Sequence, residues 1–182
     1  GLGDADREEI KEKVAIAAIR YSILRQGIGK DIIFDVNTSV AFHGDSGPYL
    51  QYTYARLRRV VAKAGEVGAS GAIVAGATPA AAPDLGTPDL AELKTDDELR
   101  LIRKMFQFPD EVRKSMEDLS LNNLAEYLHE FSNLANRFYE GEQILDDGNS
   151  GRRNARLLLA DTAARTIARG LKLLGIEVLE AI

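Results

Sequence analysis

The sequence predicts an all-α fold: a helical bundle after residue 47, preceded by one helix and one short strand. Three observations carry this. Apolar residues recur every three or four positions over much of the chain. Helix start and stop signals bracket those periodic runs. Ile32-Ile33-Phe34 is instead a short apolar run suited to a strand, so the N-terminal part reads as a small α/β piece.

The elements follow in order. Asp6 and Glu9 stand at capping-box spacing, and Ile10, Val14, Ala17, Tyr21 and Leu24 form the apolar face behind them. Gly27 and Gly29 end that helix. Residues 37–48 hold Asn, Ser, Gly and Pro and read as a loop. Pro48 suits a helix first turn, and the second helix runs to about Ala64 with Gly65 as its stop. Leu50, Tyr54, Leu57 and Val61 form one stripe of it, and Tyr49, Tyr52 and Arg56 form another.

Gly, Ala, Pro and Thr then dominate without a period, so residues 65–90 read as a flexible linker or long loop. Thr95-Asp96-Asp97-Glu98 is a capping box ahead of Leu99, Ile102 and Phe106. Phe108-Pro109 breaks that helix, and the next carries Val112, Met116 and Leu119. Ser120 caps a longer helix bearing Leu121, Leu124, Leu128, Phe131, Leu134 and Phe138, stopped by Gly141. After a polar turn, the last helix runs from about Arg152 to Leu174 and stops at Gly175.

Composition excludes several chemistries. The 182 residues include 23 Lys plus Arg, 28 Asp plus Glu, 2 His, no Cys and no Trp. No disulfide, thiolate nucleophile or thiolate metal site can form. No phosphate-loop, nucleophile-elbow or His-Glu-x-x-His motif is present. His43 and His129 have no second ligand at metal spacing and read as polar or partly buried histidines. No catalytic or metal-binding residue is therefore assigned. The acidic opening is unlike a signal peptide, and residues 67–83 hold too few large apolar side chains to span a membrane. The expectation is a cytoplasmic monomer. The opening Gly1, in place of Met, suggests a piece of a longer protein.

A net charge of −5 argues against coating nucleic acid by total charge. Local charge differs. Residues 49–83 hold four bases against Glu66 alone, and residues 148–182 hold six bases against three acids. Residues 84–147 between them hold 16 acids and 7 bases. Two basic helices that packed together would give a cationic face on an acidic body. Tyr49 and Tyr52 interleave with Arg56 and Arg59 on it, a pattern that suits unstacked bases and phosphates. The same pattern equally suits core tyrosines beside a solvated arginine face, or a helical protein-interaction module using Tyr and Arg as anchors.

A longer motif bears on that choice. Phe42-His43-Gly44-Asp45-Ser46-Gly47-Pro48-Tyr49-Leu50-Gln51-Tyr52, with Ala55-Arg56, resembles a segment of arginyl-tRNA synthetases. Upstream, Ala18-Ile19-Arg20-Tyr21 and Ile33-Phe34-Asp35 are similar to that family near the end of its catalytic domain. Downstream, Tyr127-Leu128, Asn136-Arg137-Phe138-Tyr139-Glu140, Arg156 and Leu173-Leu174-Gly175-Ile176-Glu177 resemble its C-terminal helices.

The resemblance implies an anticodon-binding helical domain of the DALR type at residues 46–182. Residues 1–45 would be the C-terminal edge of the catalytic domain, which is also the expected partner in the full-length protein. Tyr49, Tyr52, Arg56, Arg59, Arg152 and Arg156 become the candidate tRNA contacts, with Tyr52 as the stacking residue. Asn136, Phe138 and Tyr139 match a motif read mainly as packing. The parent enzyme would join arginine to tRNA using ATP with Mg. This chain has neither the His-Ile-Gly-His-like nor the Lys-Met-Ser-Lys-Ser-like signature, so no cofactor is assigned to it and it should not activate arginine alone. Ile182 stands where the family usually ends in Met, and Val36-Asn37 follow Phe34-Asp35 where Trp and Asp are usual nearby.

Overall fold

The computed structural model describes residues 4–32, 34–68, 87–145 and 147–179. Every regular element among them is helical: α1 (Asp4–Leu24), α2 (Val36–Ser39), α3 (Gly47–Gly68), α4 (Asp96–Phe106), α5 (Phe108–Glu117), α6 (Asn122–Gly141) and α7 (Ser150–Leu173). A 3-10 turn at Leu90–Glu92 precedes α4. Helix α3 packs on α1, α6 and α7, and α4 and α5 pack on α6.

The stripe expected on α3 is buried, with Leu50, Tyr54, Leu57 and Val61 all inside. They meet Tyr21 of α1, Leu124, Leu128, Phe131 and Phe138 of α6, and Leu157, Ile167 and Leu171 of α7 in one cluster. Each such side chain contributes about 1.5–3 kcal/mol on burial. Two glycines set how closely the helices approach. A Cβ on Gly47 would overlap the Ala17 carbonyl oxygen of α1, and a Cβ on Gly170 would overlap the Leu128 side chain of α6.

Several helix ends match their sequence signals. Thr95 accepts from the Glu98 N–H, and the Glu98 carboxylate accepts from the Thr95 N–H at 2.8 Å, which completes the capping box. At the end of α7, Gly175 takes φ 69°, its N–H donates to the Lys172 carbonyl, and the Ile176 N–H donates to that of Leu171. That pairing is a Schellman closure, and only a residue tolerant of positive φ fits it without strain.

Other expectations need correction. The strand expected at Ile32-Ile33-Phe34 is not seen among the described residues: Ile32 and Phe34 are exposed in irregular backbone, and Ile33 lies outside the described residues. A lone strand there would have no neighbour to pair its backbone groups. Residues 37–39 of the expected loop join Val36 in one helical turn, because the Asp35 carboxylate caps the N–H groups of Asn37 and Thr38. Helix α3 continues through Gly65 to Gly68, since a helical glycine costs only about 1 kcal/mol. Leu90 already belongs to the 3-10 turn, and residues 69–86 of the expected linker lie outside the described residues. Ser120 precedes the α6 N-cap, Leu121, by one position and donates instead to Asn122 Oδ1 at 2.5 Å. Phe106, Met116 and Leu119 face outward at 71–87% exposure, because α4 and α5 bury only one side against α6.

Candidate nucleic-acid interface

Helix α3 is launched by the residues of the long motif. The Ser46 hydroxyl accepts from the Tyr49 N–H at 3.1 Å and donates to the Ala41 carbonyl. Pro48 fills the first turn, where its missing N–H costs nothing. Gly47 lets α1 pass directly beneath. These constraints fix the first turn of α3 and project Tyr49, Tyr52 and Arg56 along one side.

That side faces α6 across a groove of about 530 Å³. Phe42, Tyr49, Tyr52 and Arg56 line it from α3 and its preceding loop, and Asn133, Asn136, Arg137 and Glu140 from α6. The Tyr52 ring lies 6.3 Å from that of Phe42, tilted by 58°. The Arg56 guanidinium sits 5.8 Å from the Tyr52 ring centre and 4.2 Å from that of Tyr139. It also donates to Glu140 at 2.8 Å and to Asn136 Oδ1 at 3.2 Å. Burial opposes its charge, but Glu140, Tyr52 and Tyr139 outweigh that and raise its pKa.

The groove thus offers what single-stranded nucleic acid uses. Aromatic faces can stack a splayed base, while a cation held beside them can meet a phosphate or a base edge. A neutral groove of this kind would lack the second element, and a bare cationic surface the first.

Comparison with known proteins identifies the family of the chain. Residues 50–182 match the model of the DALR anticodon binding domain. The chain belongs to the DALR anticodon-binding domain family. An arginine–tRNA ligase of Colwellia psychrerythraea is 35% identical over 98% of this chain and 28% of its own length. One from Ignicoccus hospitalis is 34% identical over 94% of this chain and 25% of its own. A solved structure of Thermus thermophilus arginyl-tRNA synthetase superposes with a TM-score of 0.81 at 30% identity, covering 97% of this chain and 28% of that one. The chain therefore spans about 28% of the length of such relatives.

In this DALR domain the six candidate contacts separate. Tyr49, Tyr52 and Arg56 share the groove. Arg59 is exposed one turn further along α3 and makes no ion pair among the described residues. Arg152 and Arg156 sit elsewhere, at the start of α7. Arg152 binds Asp147 through two guanidinium nitrogens. Arg156 is only 6% exposed and donates to Glu98 at 2.7 Å, Glu142 at 2.5 Å and Asp147 at 3.1 Å. Buried among three carboxylates and also donating to the Gln143 carbonyl, Arg156 is not presented to a phosphate at the surface.

The expected cationic face is partly neutralised in the same way. Helices α3 and α7 do pack together, but buried Asp161 sits between them and binds Arg58 at 2.7 Å and Arg165 at 2.6 Å. Sequence reasoning gave Asn136 mainly a packing role and did not assign Asn133, Arg137 or Glu140 to the site. Asn133, Asn136, Arg137 and Glu140 follow the i, i+3, i+4, i+7 spacing of one helix face, so a polar stripe was there to read.

Proposed function

We propose that the α3–α6 groove holds the anticodon loop of an arginine tRNA, and that the chain acts as the tRNA-binding part of an arginine–tRNA ligase. One observation carries this reading: Arg56 lies against the rings of Tyr52 and Tyr139 and shares with Tyr49 the groove that the long motif builds. The ligase relatives add support. A base would stack on Tyr52, Arg56 would meet a base edge or phosphate, and Arg59 would follow the strand outward.

Residues 1–45 are assigned to the edge of the catalytic domain and residues 46–182 to the anticodon-binding domain. Support comes from α1, whose Ile16, Ile19 and Ile23 form an exposed apolar stripe that a catalytic domain would cover. ATP and Mg belong to that catalytic part, since this chain carries neither nucleotide-binding signature. No helix among the described residues is long and apolar enough to cross a membrane, and we assign the protein to the cytoplasm as a monomer.

The test is a binding titration with an arginine tRNA and with the same tRNA altered in its anticodon. Tighter binding to the first is expected. Equal binding to both would overturn the assignment.

A further inference from the structure

The hydrogen bonds along the groove run in one direction, and Arg56 sets that direction. A guanidinium only donates, so the Asn136 oxygen must face it. The Asn136 amide nitrogen therefore faces the Tyr49 hydroxyl at 3.0 Å and Thr53 Oγ1 at 2.8 Å. Thr53 can accept there because its own proton goes to the Tyr49 carbonyl. Tyr49, already accepting from Asn136, donates to Asn133 Oδ1 at 2.7 Å. The Asn133 amide nitrogen is then left facing His129 Nε2 at 3.1 Å. A neutral imidazole in that contact accepts at Nε2 and carries its proton on Nδ1.

Nδ1 is the odd atom of this chain. It is buried and has no hydrogen-bond partner among the described residues. Asp45 Oδ1 is 3.7 Å away, beyond hydrogen-bond reach, and already takes the Tyr21 hydroxyl at 2.5 Å. Other charged and titratable groups surround the ring. Arg25 of α1 binds the second Asp45 oxygen at 3.0 Å, and Tyr49 of α3 lies 5.8 Å from the ring. On α6, Glu126 precedes His129 by three residues, and Glu130 follows it and is paired with Lys104 of α4.

We propose that His129 is a positioning residue that sets the hydrogen-bond polarity of Tyr49 in the groove: neutral, it leaves the Tyr49 oxygen as an acceptor toward the groove, and protonated, it makes that hydroxyl a donor. The proton balance is simple. A second proton on the ring goes to Nε2, which then donates, and the imidazolium is drawn to Asp45. Two donors cannot face each other, so the Asn133 amide turns over and its oxygen accepts from Nε2–H. Its nitrogen now donates to Tyr49. With both Asn133 and Asn136 donating to it, the Tyr49 oxygen has no lone pair left, and its own proton is released toward the groove. His129 touches no ligand in this scheme. The RNA consequence rests on the anticodon reading above, whereas the tautomer does not.

The test has an RNA-free arm and an RNA arm. His43 and His129 are the two histidines, so long-range 1H–15N spectra of the chain resolve both rings, assigned with His43→Asn. At about pH 8 His129 should carry its proton on Nδ1. In Asn133→Asp, whose carboxylate cannot donate, the proton should move to Nε2. A wild-type proton on Nε2, or no change in Asn133→Asp, overturns the relay. In the RNA arm, fluorescence anisotropy follows binding of an arginine anticodon stem–loop from about pH 8 to about pH 6. Wild type should change affinity on the order of fivefold, the worth of one hydrogen bond. His129→Gln and Tyr49→Phe should both lose that step, and His43→Asn should keep it. A step that persists in Tyr49→Phe would mean a bare charge effect and overturn the proposal. Failure of every protein to bind, with the tautomers as expected, would sink the anticodon reading and leave the relay in place.

Discussion

Arg56 and Arg156 are the same residue type on neighbouring helices, and the fold uses them oppositely. Arg56 is one-quarter exposed, meets one exposed carboxylate and lies against two tyrosine rings. Arg156 is buried and ties three carboxylates from the α4 start and the α6–α7 connection to α7. Glu98, one of those three, is fully buried and also closes the α4 capping box. Charge type alone does not make a binding residue. The number of internal carboxylates and the solvent left around the guanidinium decide whether an arginine holds the fold or a ligand.

The comparison is tested most strongly at Arg156. Arg156→Ala strands Glu98 and Glu142 without the cation that pairs them, while Asp147 keeps Arg152, so it should cost about 3–5 kcal/mol in denaturant unfolding. Arg56→Ala should cost about 1 kcal/mol or less by the same measurement. Equal costs would erase the distinction.

Gly47 tests the launch of the groove helix. Gly47→Ala pushes a Cβ into the Ala17 carbonyl, a backbone atom that cannot rotate aside. A loss of about 1–3 kcal/mol in unfolding free energy is expected. Wild-type stability would show that α1 does not constrain α3 there.

Binding should show the reverse ranking of the arginines. Arg56→Ala should weaken binding to an arginine tRNA by about 1–3 kcal/mol while the protein stays folded. Arg59→Ala should have a smaller effect, read as a salt dependence reduced by about one counterion. A steeper loss for Arg59→Ala than for Arg56→Ala would move the site out of the groove.

The smallest effect is in acid. The Arg152 guanidinium beside Asp147, followed by the Asn149 N–H, holds that carboxyl at about 2. Its folded pKa lies below the unfolded value of about 3.9. The stability it contributes is therefore complete above about pH 4 and lost as pH falls toward about 2. Arg152→Gln should flatten that acid slope in a pH series of unfolding measurements, and Arg56→Gln should leave it intact.

Much of this architecture was legible in the residues. The period of Leu50, Tyr54, Leu57 and Val61 marks a buried face because a helix repeats every 3.6 residues. Thr95 and Glu98 announce a cap through local chemistry. The Tyr49-Tyr52-Arg56 side of the groove was legible for the same reason. What was hidden depends on partners far apart in the chain. Asp161 between Arg58 and Arg165, and Glu98 under Arg156, join segments at least 58 residues apart or split a single charge between two helices. Phe106 and Met116 fit a helical period yet stay exposed, because periodicity does not say how far a neighbouring helix extends.

The most direct test of the groove assignment is an anisotropy titration of an arginine anticodon stem–loop against wild type, Tyr52→Phe and Tyr52→Ala. A stacked base requires the ring and not the hydroxyl. Tyr52→Phe should bind within about twofold of wild type, and Tyr52→Ala should bind about tenfold more weakly, the equivalent of roughly 1.4 kcal/mol. Unchanged binding by folded Tyr52→Ala would contradict the account.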